Sequence, residues 1–298
     1  MKKEITDSAA PDPKEPGVPG SRPGRRAGPA LGARIGAAVV LIAVLVGLFG
    51  PLIAPYAEDE MLPAAAFAPM GAENWLGTDY IGRDILSRIL YGARVTLGLA
   101  LAATMLAFVV GTFFGFTAAA APPLVDTIIS RLYDVVLSIP NIMLALVVIA
   151  ALGTSMAVLV GVIGLIYSAN VFRISRALAM DIKVMDFVEV ARARGEGHLW
   201  IISREIWPNA VIPLASEFGL RLVFAILAVS GLSFLGLGVQ PPTAGWGVMV
   251  RENMTGMMYG SPAALAPAFA IAMVTISINL IVDDLSSRYG RDISEALG

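Results

Sequence analysis

Apolar residues in this chain are gathered into blocks of about twenty, the length that an α-helix needs to cross the hydrocarbon core of a bilayer. The first block runs from Ile35 to Ala54. Soluble domains are about 45–50% apolar and about 25% charged, whereas this chain is 57% hydrophobic and 15% charged. Because the excess lies in separate blocks, the sequence predicts an all-α polytopic membrane protein.

Six blocks are long enough to serve as spans. We predict them near residues 35–54, 95–120, 133–152, 156–174, 213–237 and 264–282. The first could instead be a signal peptide, but its length favours a membrane anchor. The second carries Gly111 and Gly115, a GxxxG pair that permits close helix packing. We therefore expect a transmembrane domain at 34–290, after a disordered tail at 1–33 that is rich in proline, glycine and charge, and before a short tail at 291–298.

The placement of lysine and arginine predicts the orientation of these spans. Six spans put both termini on one side, and sixteen lysines and arginines lie in the segments on that side. The two sizeable opposite segments, about 56–93 and 240–262, hold only Arg83, Arg88 and Arg251. Because positive charge is retained on the inner side, we expect both termini to be cytoplasmic. The one large inner segment is then about 175–212, which is longer than a simple connection requires.

This inner segment has the pattern of a helix, a turn and a second helix between Met180 and Pro213. One apolar stripe is predicted on the first helix, and a left-handed Gly195 is predicted to close that helix. The stripe consists of Met180, Val184, Phe187 and Ala191. A second stripe, formed by Leu199, Ile202 and Ile206, is predicted to end at Pro208. Either the protein's own membrane domain or the lipid surface covers these stripes, or a soluble partner does; periodicity alone leaves both open.

The same segment contains Glu189-Val190-Ala191, then Gly195 after three residues, then Ile206-Trp207-Pro208. This spacing resembles the EAA loop of ABC-importer permeases, in which Glu-Ala-Ala is followed by Gly and later by a hydrophobic Leu-Pro pair. Val190 stands in place of the usual alanine and Trp207 in place of the usual leucine.

Four further stretches resemble the second permease of dipeptide, oligopeptide and nickel importers. They are Trp75-Leu76-Gly77-Thr78-Asp79 leading to Gly82-Arg83-Asp84, Tyr91-Gly92-Ala93-Arg94, Arg131-Leu132-Tyr133-Asp134 with Ile139-Pro140, and Leu232-Ser233-Phe234-Leu235-Gly236-Leu237-Gly238-Val239-Gln240-Pro241-Pro242. The resemblance covers about residues 35–290.

The resemblance implies a function and a set of partners. The chain would form half of a translocation pathway for di- or oligopeptides in a bacterial inner membrane. It would pair with a homologous permease, bind two cytoplasmic ATPase chains and receive substrate from an extracytoplasmic binding protein. Glu189 and Gly195 would lie at the docking elbow, with Arg192 and Arg194 facing the ATPase. The other residues that this reading assigns to the loop are Ala191, Ile206 and Pro208.

Sequence motifs for catalysis or cofactor binding are missing. The chain has no G-x-x-x-x-G-K-[ST] phosphate-binding loop and no G-x-S-x-G nucleophile motif. It has no cysteine and one histidine, His198, so we expect no metal site. ATP and Mg²⁺ are therefore expected on the ATPase partners, this chain is expected to bind no cofactor and to catalyse no reaction, and no nucleic-acid partner is expected.

Polar residues at membrane depth are costly and are candidates for a wet path or for interhelical hydrogen bonds. They are Ser138, Asn141, Tyr167, Asn170, Ser230, Ser233 and Asn279. Two charge pairs at helical spacing near the inner face, Arg131 with Asp134 and Glu217 with Arg221, are interpreted as structural ion pairs.

Two kinds of alternative stay open at this point. The same architecture could import nickel, an opine or a glycoside. A channel or autonomous secondary transporter is a different class, but the spans show no ring of charges and no deep ionisable pair that would select or couple ions.

Overall fold

The computed structural model describes residues 31–297, apart from the side chains of residues 198, 199 and 288–297. No β-strand occurs within this range. The α-helices are α1 (Leu31–Ile53), α2 (Ile85–Ala120), α3 (Pro123–Ser138), α4 (Asn141–Leu152), α5 (Met156–Ile182), α6 (Asp186–Ala193), α7 (His198–Ile201), α8 (Trp207–Phe234), α9 (Trp246–Glu252) and α10 (Leu265–Leu297). A π-helical turn (Ile202–Ile206) precedes α8, and a 3-10 turn (Met254–Tyr259) follows α9.

Five helical segments in the described range are long and apolar enough to cross a membrane. They are Leu31–Ile53, Ile85–Ala120, Met156–Ile182, Ile202–Phe234 and Leu265–Ser287. The all-α polytopic prediction is confirmed. Each of these helices overlaps a predicted span, and most extend further, because polar turns at their ends continue the helix beyond the apolar block.

The predicted third span, 133–152, is broken in the structure. α3 and α4 meet at 90°, and the pair counts as a sixth span only if both halves are taken together. Ile139 is extended, with φ −100° and ψ 132°. Pro140 causes the break, because its ring disfavours helical backbone at the preceding residue and it has no N–H to donate.

The membrane domain is organised around α2 and α5. A Cβ atom on Gly111 would lie 2.6 Å from the Cβ of Val171, and one on Gly115 would lie 2.8 Å from the Cβ of Ser175. The predicted close packing of this GxxxG face is therefore present, with α5 as the partner. α1 packs on α2 and α10, and α8 packs against α2, α5 and α10.

The predicted domain boundaries need adjustment. Residues 1–30 of the predicted disordered tail lie outside the described range, whereas residues 31–33 already belong to α1. α10 continues to Leu297, past the predicted boundary at 291, and residue 298 lies outside the described range.

The long helices separate two non-membrane layers. α2 has 36 residues, so it is about 54 Å long at 1.5 Å per residue. Its first turn belongs to a layer formed by residues 54–88 and 235–264, which we name the cap. Its C-terminus lies beside residues 183–206, which we name the loop. The two layers therefore occupy opposite ends of the molecule.

Candidate functional site

The first helix of the loop ends in a hydrogen-bonded glycine turn. Gly195 has φ +85°, its N–H donates to the Arg192 carbonyl at 2.9 Å, and the Glu196 N–H donates to the Ala191 carbonyl at 3.2 Å. This pair of bonds is the Schellman arrangement, which needs a left-handed residue. The predicted left-handed closure at Gly195 is confirmed. An added Cβ would meet no atom within 4 Å, so the requirement for glycine is conformational.

The inner face of the loop is buried against three long helices. Val188, Ala191 and Ile206 form its base. They belong to one apolar cluster that includes the following residues of α2, α5 and α8: Phe116, Ala119, Ala179, Ile182, Ala210 and Leu214. Close-packed protein interiors have low compressibility and transmit strain. The loop and these three helix ends are therefore one packed unit.

Part of the predicted pattern in the first loop helix is wrong. α5 continues to Ile182 and the new helix begins only at Asp186, so Met180 lies in the preceding span. Val184 and Phe187 are exposed, and Val188 takes the buried position beside Ala191. The helix break at 183–185 shifts the register, which spacing within a single continuous helix could not anticipate. Leu199 lies outside the described side chains.

The predicted end of the second loop helix at Pro208 is also wrong. The chain runs from α7 through the π-helical turn into α8 without a stop. The Trp207 N–H donates to the Ile202 carbonyl in this wide turn, and Asn209 Nδ2 donates to the Glu205 carbonyl at 2.6 Å. Pro208 lies at the start of α8, where a missing N–H costs little. The second loop helix is thus continuous with a membrane span.

Two basic side chains brace the loop. Lys183 Nζ donates to the Ala119 carbonyl at 3.0 Å, which satisfies a carbonyl at the negative end of α2. The Arg194 guanidinium lies over the Trp200 ring, 5.7 Å from its centroid. The first contact ties the loop to α2 and the second ties α6 to α7.

The outer face of the loop is charged and open. Glu189, Arg192 and Arg194 are exposed, and Val190 is 57% exposed between them. A groove of about 590 Å³ is lined by Lys183, Val184, Glu189, Arg192 and Ala193. Of the other predicted loop residues, Gly195 and Pro208 are exposed, while Ala191 and Ile206 belong to the base. The loop therefore combines a fixed inner face with an exposed outer face of mixed charge.

The cap contains a buried ion network that the sequence analysis did not predict. Asp79 Oδ2 accepts from Arg83 Nε at 2.6 Å and from Arg88 Nη1 at 2.5 Å. Glu252 Oε2 lies 3.2 Å from both guanidinium groups. All four side chains are largely inaccessible, and their formal charges cancel. Burial raises the pKa of the Glu252 carboxyl, against the opposing effect of Arg83.

This network gives a role to a motif quoted above only for its resemblance. The Thr78 hydroxyl donates to the Ala65 carbonyl at 2.7 Å, Asp79 anchors both arginines, and Asp84 Oδ2 accepts from the Ser87 N–H at 2.7 Å as the N-cap of α2. The available signal was the run of Asp, Arg and Asp at close spacing before an apolar block. Its partner Glu252 lies too far along the chain for spacing to reveal it.

The fourth quoted motif, at residues 232–242, closes α8 at the cap. Ser233 Oγ accepts from the Val239 N–H at 3.0 Å, and Gln240 Nε2 donates to the Gly236 and Gly238 carbonyls. Ser233 is buried in this turn. Its interpretation as a path residue therefore gives way to a structural one, because its hydroxyl already holds the chain reversal.

The remaining polar candidates do not form one continuous line. Asn141 and Tyr167 line a cavity of about 90 Å³ between α4, α5 and α8. Ser230 lines a separate groove of about 450 Å³ between α8, α9 and α10. The Ser138 hydroxyl donates to Val135 of its own helix. Asn170 and Asn279 are half-buried and line neither of these two spaces.

One of the two predicted ion pairs is present. Arg221 Nε donates to Glu217 Oε1 within α8, four residues apart. The other is wrong, since Asp134 pairs with Arg173 of α5, at 3.7 Å, with both side chains exposed. Helical spacing alone could not anticipate this, because α5 brings a closer cation to Asp134 than its own helix does.

Comparison with known proteins identifies the family. Residues 107–293 match the family described as binding-protein-dependent transport system inner membrane component. The glutathione transport system permease protein GsiD of Pectobacterium atrosepticum is 34% identical over 71% of this chain and 70% of its own length. The dipeptide transport system permease protein DppC of Alkalihalophilus pseudofirmus is 33% identical, over 80% and 78%.

A putative peptide transport system permease protein of Brucella suis is 37% identical over 74% of each chain. These relatives are transport permeases, and their family works with separate ATPase and binding-protein partners. The family match and the five apolar helices agree on a multi-pass membrane protein whose role is transport. The chain therefore belongs to the inner-membrane permeases of binding-protein-dependent ABC importers.

Proposed function

We propose that this chain forms half of the pathway by which an ATP-driven importer carries short peptides across a bacterial inner membrane. The peptide class is supported by relatives named for dipeptide, di/tripeptide and glutathione transport, since glutathione is itself a tripeptide. The observation that carries the proposal is the loop, which has a packed base and a charged, open outer face.

The proposed assembly contains this chain, a homologous permease, two ATPase chains and an extracytoplasmic binding protein. The loop docks on one ATPase, with Glu189 and Gly195 at the elbow and with Arg192 and Arg194 facing the partner. ATP and Mg²⁺ are bound by the ATPase chains, and this chain holds no cofactor. Both chain termini are cytoplasmic, which places the loop on the same side as the ATPases.

The geometry supports a lever mechanism. The base of the loop packs on the ends of α2 and α5, and its second helix continues into α8. Closure of the two ATPase chains would move the docked loop as a rigid piece. Because the three helices share that base, they would move together, which is how small movements at an interface become rearrangements of whole helices.

The test is reconstitution in lipid vesicles. The complete assembly, with binding protein outside, should accumulate a labelled dipeptide only when ATP is supplied at the loop side. This chain purified alone should hydrolyse no ATP. Uptake by this chain alone, without ATP or binding protein, would refute the hypothesis of an ATP-driven importer and would support a secondary transporter or channel. Uptake of nickel, an opine or a glycoside in place of peptides would refute the peptide reading only.

The orientation has its own test, which the absence of cysteine makes direct. Ala65 and Thr255 are exposed in the cap, and Ser203 is exposed in the loop. Single cysteines at Ala65 and Thr255 should react with an impermeant thiol reagent in cells whose inner membrane is intact and whose outer membrane is permeabilised. A single cysteine at Ser203 should not react. The reverse pattern would invert the proposed orientation.

A further inference from the structure

An ion pair lies inside α8, about one turn beyond the part of that helix that packs on the base of the loop. The Phe218 ring, between Glu217 and Arg221, contacts the Phe108 ring with centroids 5.0 Å apart. Phe108 packs against the same apolar cluster as the base of the loop. Removing two charges from water is costly, and their attraction offsets that cost only when further hydrogen bonds satisfy both groups.

The pair does not hold helices together. Glu217 and Arg221 are both in α8, and the bond between them is within that helix. Among the described residues, neither side chain has a hydrogen-bond or ion-pair partner in another helix. The cap network is different, because there Glu252 of α9 meets arginines that lie far away in the chain. A purely structural role therefore leaves the cost of burying this pair unexplained.

Arg221 reaches an accessible surface between α8 and α5. Its side chain is 15% exposed and that of Glu217 is 10% exposed. The guanidinium lies over the Phe224 ring, 5.4 Å from its centroid, and Phe224 itself is 43% exposed. The Tyr167 hydroxyl of α5 donates to the Phe224 carbonyl at 3.2 Å. A cation, an aromatic ring and a hydroxyl thus share one surface.

This surface continues into the cavity that contains two of the predicted path residues. Tyr167 lines that cavity together with Asn141 of α4, and Leu227 and Gly231 line it from the next turns of α8. A line of polar groups therefore runs from Arg221 past Tyr167 to Asn141, along the faces of α8, α5 and α4.

We propose that Arg221 is a carboxylate-binding residue for peptides in transit, with Glu217 as its positioning residue. The inference rests on the proposed peptide transport. Only Nε of Arg221 is engaged by Glu217, so the terminal amino groups keep the planar donor geometry that suits a carboxylate. Glu217 competes for the same guanidinium, which keeps binding weak enough for the peptide to leave, as conduction requires.

The first experiment measures charge at this surface in the assembled transporter, with partner thiols removed. A cysteine replacing Phe224 is treated with small anionic and cationic thiol reagents during ATP turnover, and rates are normalised to a free thiol. The anionic reagent should react faster by roughly tenfold, as focusing of a fixed charge in a low-dielectric cleft produces. Arg221→Gln should abolish that preference, and Arg221→Lys should retain part of it.

The controls separate a wet path from lipid exposure. Val109→Cys lies next to Phe108 on α2 at the same depth and is exposed on an apolar face, so it should stay unreactive. Ser203→Cys should react readily from the loop side. No reaction at Phe224→Cys while Ser203→Cys reacts would overturn the proposal, because that surface would then face lipid. Where Arg221→Gln impairs assembly, the neutral pair Glu217→Gln with Arg221→Gln replaces it.

The second experiment identifies the ligand by protection of the Phe224→Cys thiol. A dipeptide with a free carboxyl terminus should slow modification at a severalfold lower concentration than its C-terminal amide, and Arg221→Gln should erase that difference. Glu217→Gln should lower the protecting concentration of the free acid, because the competing carboxylate is gone. Equal protection by acid and amide would overturn the subsite. Failure of the unmodified assembly to import any peptide would instead overturn the proposed function.

Discussion

The cap and the loop handle charge in opposite ways. In the cap, Asp79, Arg83 and Arg88 point inward and, with Glu252, satisfy one another. In the loop, Glu189 and Arg192 point outward, and no ion pair joins them to another described residue. Buried charges are tolerated only when they are paired, whereas exposed charges need no partner within the chain. The cap is thus complete by itself, and the loop presents its charges to whatever binds there.

The glycines of the two layers show the same difference. Gly77 in the cap and Gly195 in the loop both have positive φ. A Cβ on Gly77 would lie 2.4 Å from the Ala68 carbonyl oxygen, whereas one on Gly195 would meet nothing within 4 Å. The cap glycine is required by both space and backbone, and the loop glycine by backbone alone. A substitution in the loop should therefore change an angle without disturbing the fold.

The largest effect should come from breaking the cap network. Asp79→Asn leaves two buried arginines with one carboxylate, and removing one partner of a buried ion pair costs about 3–5 kcal/mol. We expect a lower melting temperature in detergent and little assembled protein in membranes. The matched change Glu252→Gln should cost less, because its contacts are longer, at 3.2 Å. Equal stability of Asp79→Asn and the wild type would contradict this account of the cap.

The loop should respond in function more than in stability. Left-handed backbone costs a non-glycine residue about 1–2 kcal/mol, so Gly195→Val should leave membrane insertion near normal. Dipeptide uptake should be lost, because the turn either strains or re-aims α7. Gly197→Val is the control, since Gly197 is two residues away and is not among the positive-φ glycines.

The contrast between the cap and the loop becomes sharper if Glu189→Lys is added to Gly195→Val. The double variant should release the ATPase from the complex or leave it bound without stimulation by loaded binding protein. Both are measurable by co-purification and by ATP hydrolysis. Normal uptake with the ATPase still bound would show that the loop does not transmit force.

A smaller effect is expected at the junction between the loop and α2. Lys183→Met removes the contact with the Ala119 carbonyl at the end of α2, and such contacts at helix termini are worth about 0.3–1 kcal/mol. Uptake should fall in part while the melting temperature barely changes, and Lys183→Arg should restore most of it. An unaltered uptake rate in Lys183→Met would mean that the apolar base alone fixes the loop.

The smallest effect is a dependence of stability on pH from Glu252. Burial raises the pKa of this carboxyl above its ordinary value of 4.5, so the folded protein holds the proton more tightly than the unfolded chain does. The associated stability is present below that value and is lost as pH rises through the raised pKa. The melting temperature of the wild type, minus that of Glu252→Gln, should fall as the pH rises through that window. A rise instead would mean that the two arginines outweigh burial.

The sequence predicted features that depend on local chemistry. Apolar blocks located the long helices because backbone groups in lipid must be satisfied within one helix. Gly195 predicted its own left-handed conformation, since few other residues adopt it at low cost. The spacing from Gly111 to Gly115 predicted close packing, but the sequence did not say that α5 would be the partner. The family resemblance rested on the same local runs, and the comparisons confirmed it.

Tertiary structure decided what local spacing leaves open. It joined Glu252 to Arg83 and Arg88 across more than half the chain, paired Asp134 with Arg173 instead of Arg131, and placed Ser233 in a turn instead of on a candidate path. It also turned the predicted third span by 90°. Each of these outcomes depends on which helices meet, and helix pairing in a membrane is set by shape and hydrogen bonding between distant segments. Residue spacing along one helix therefore does not predict which helices pair.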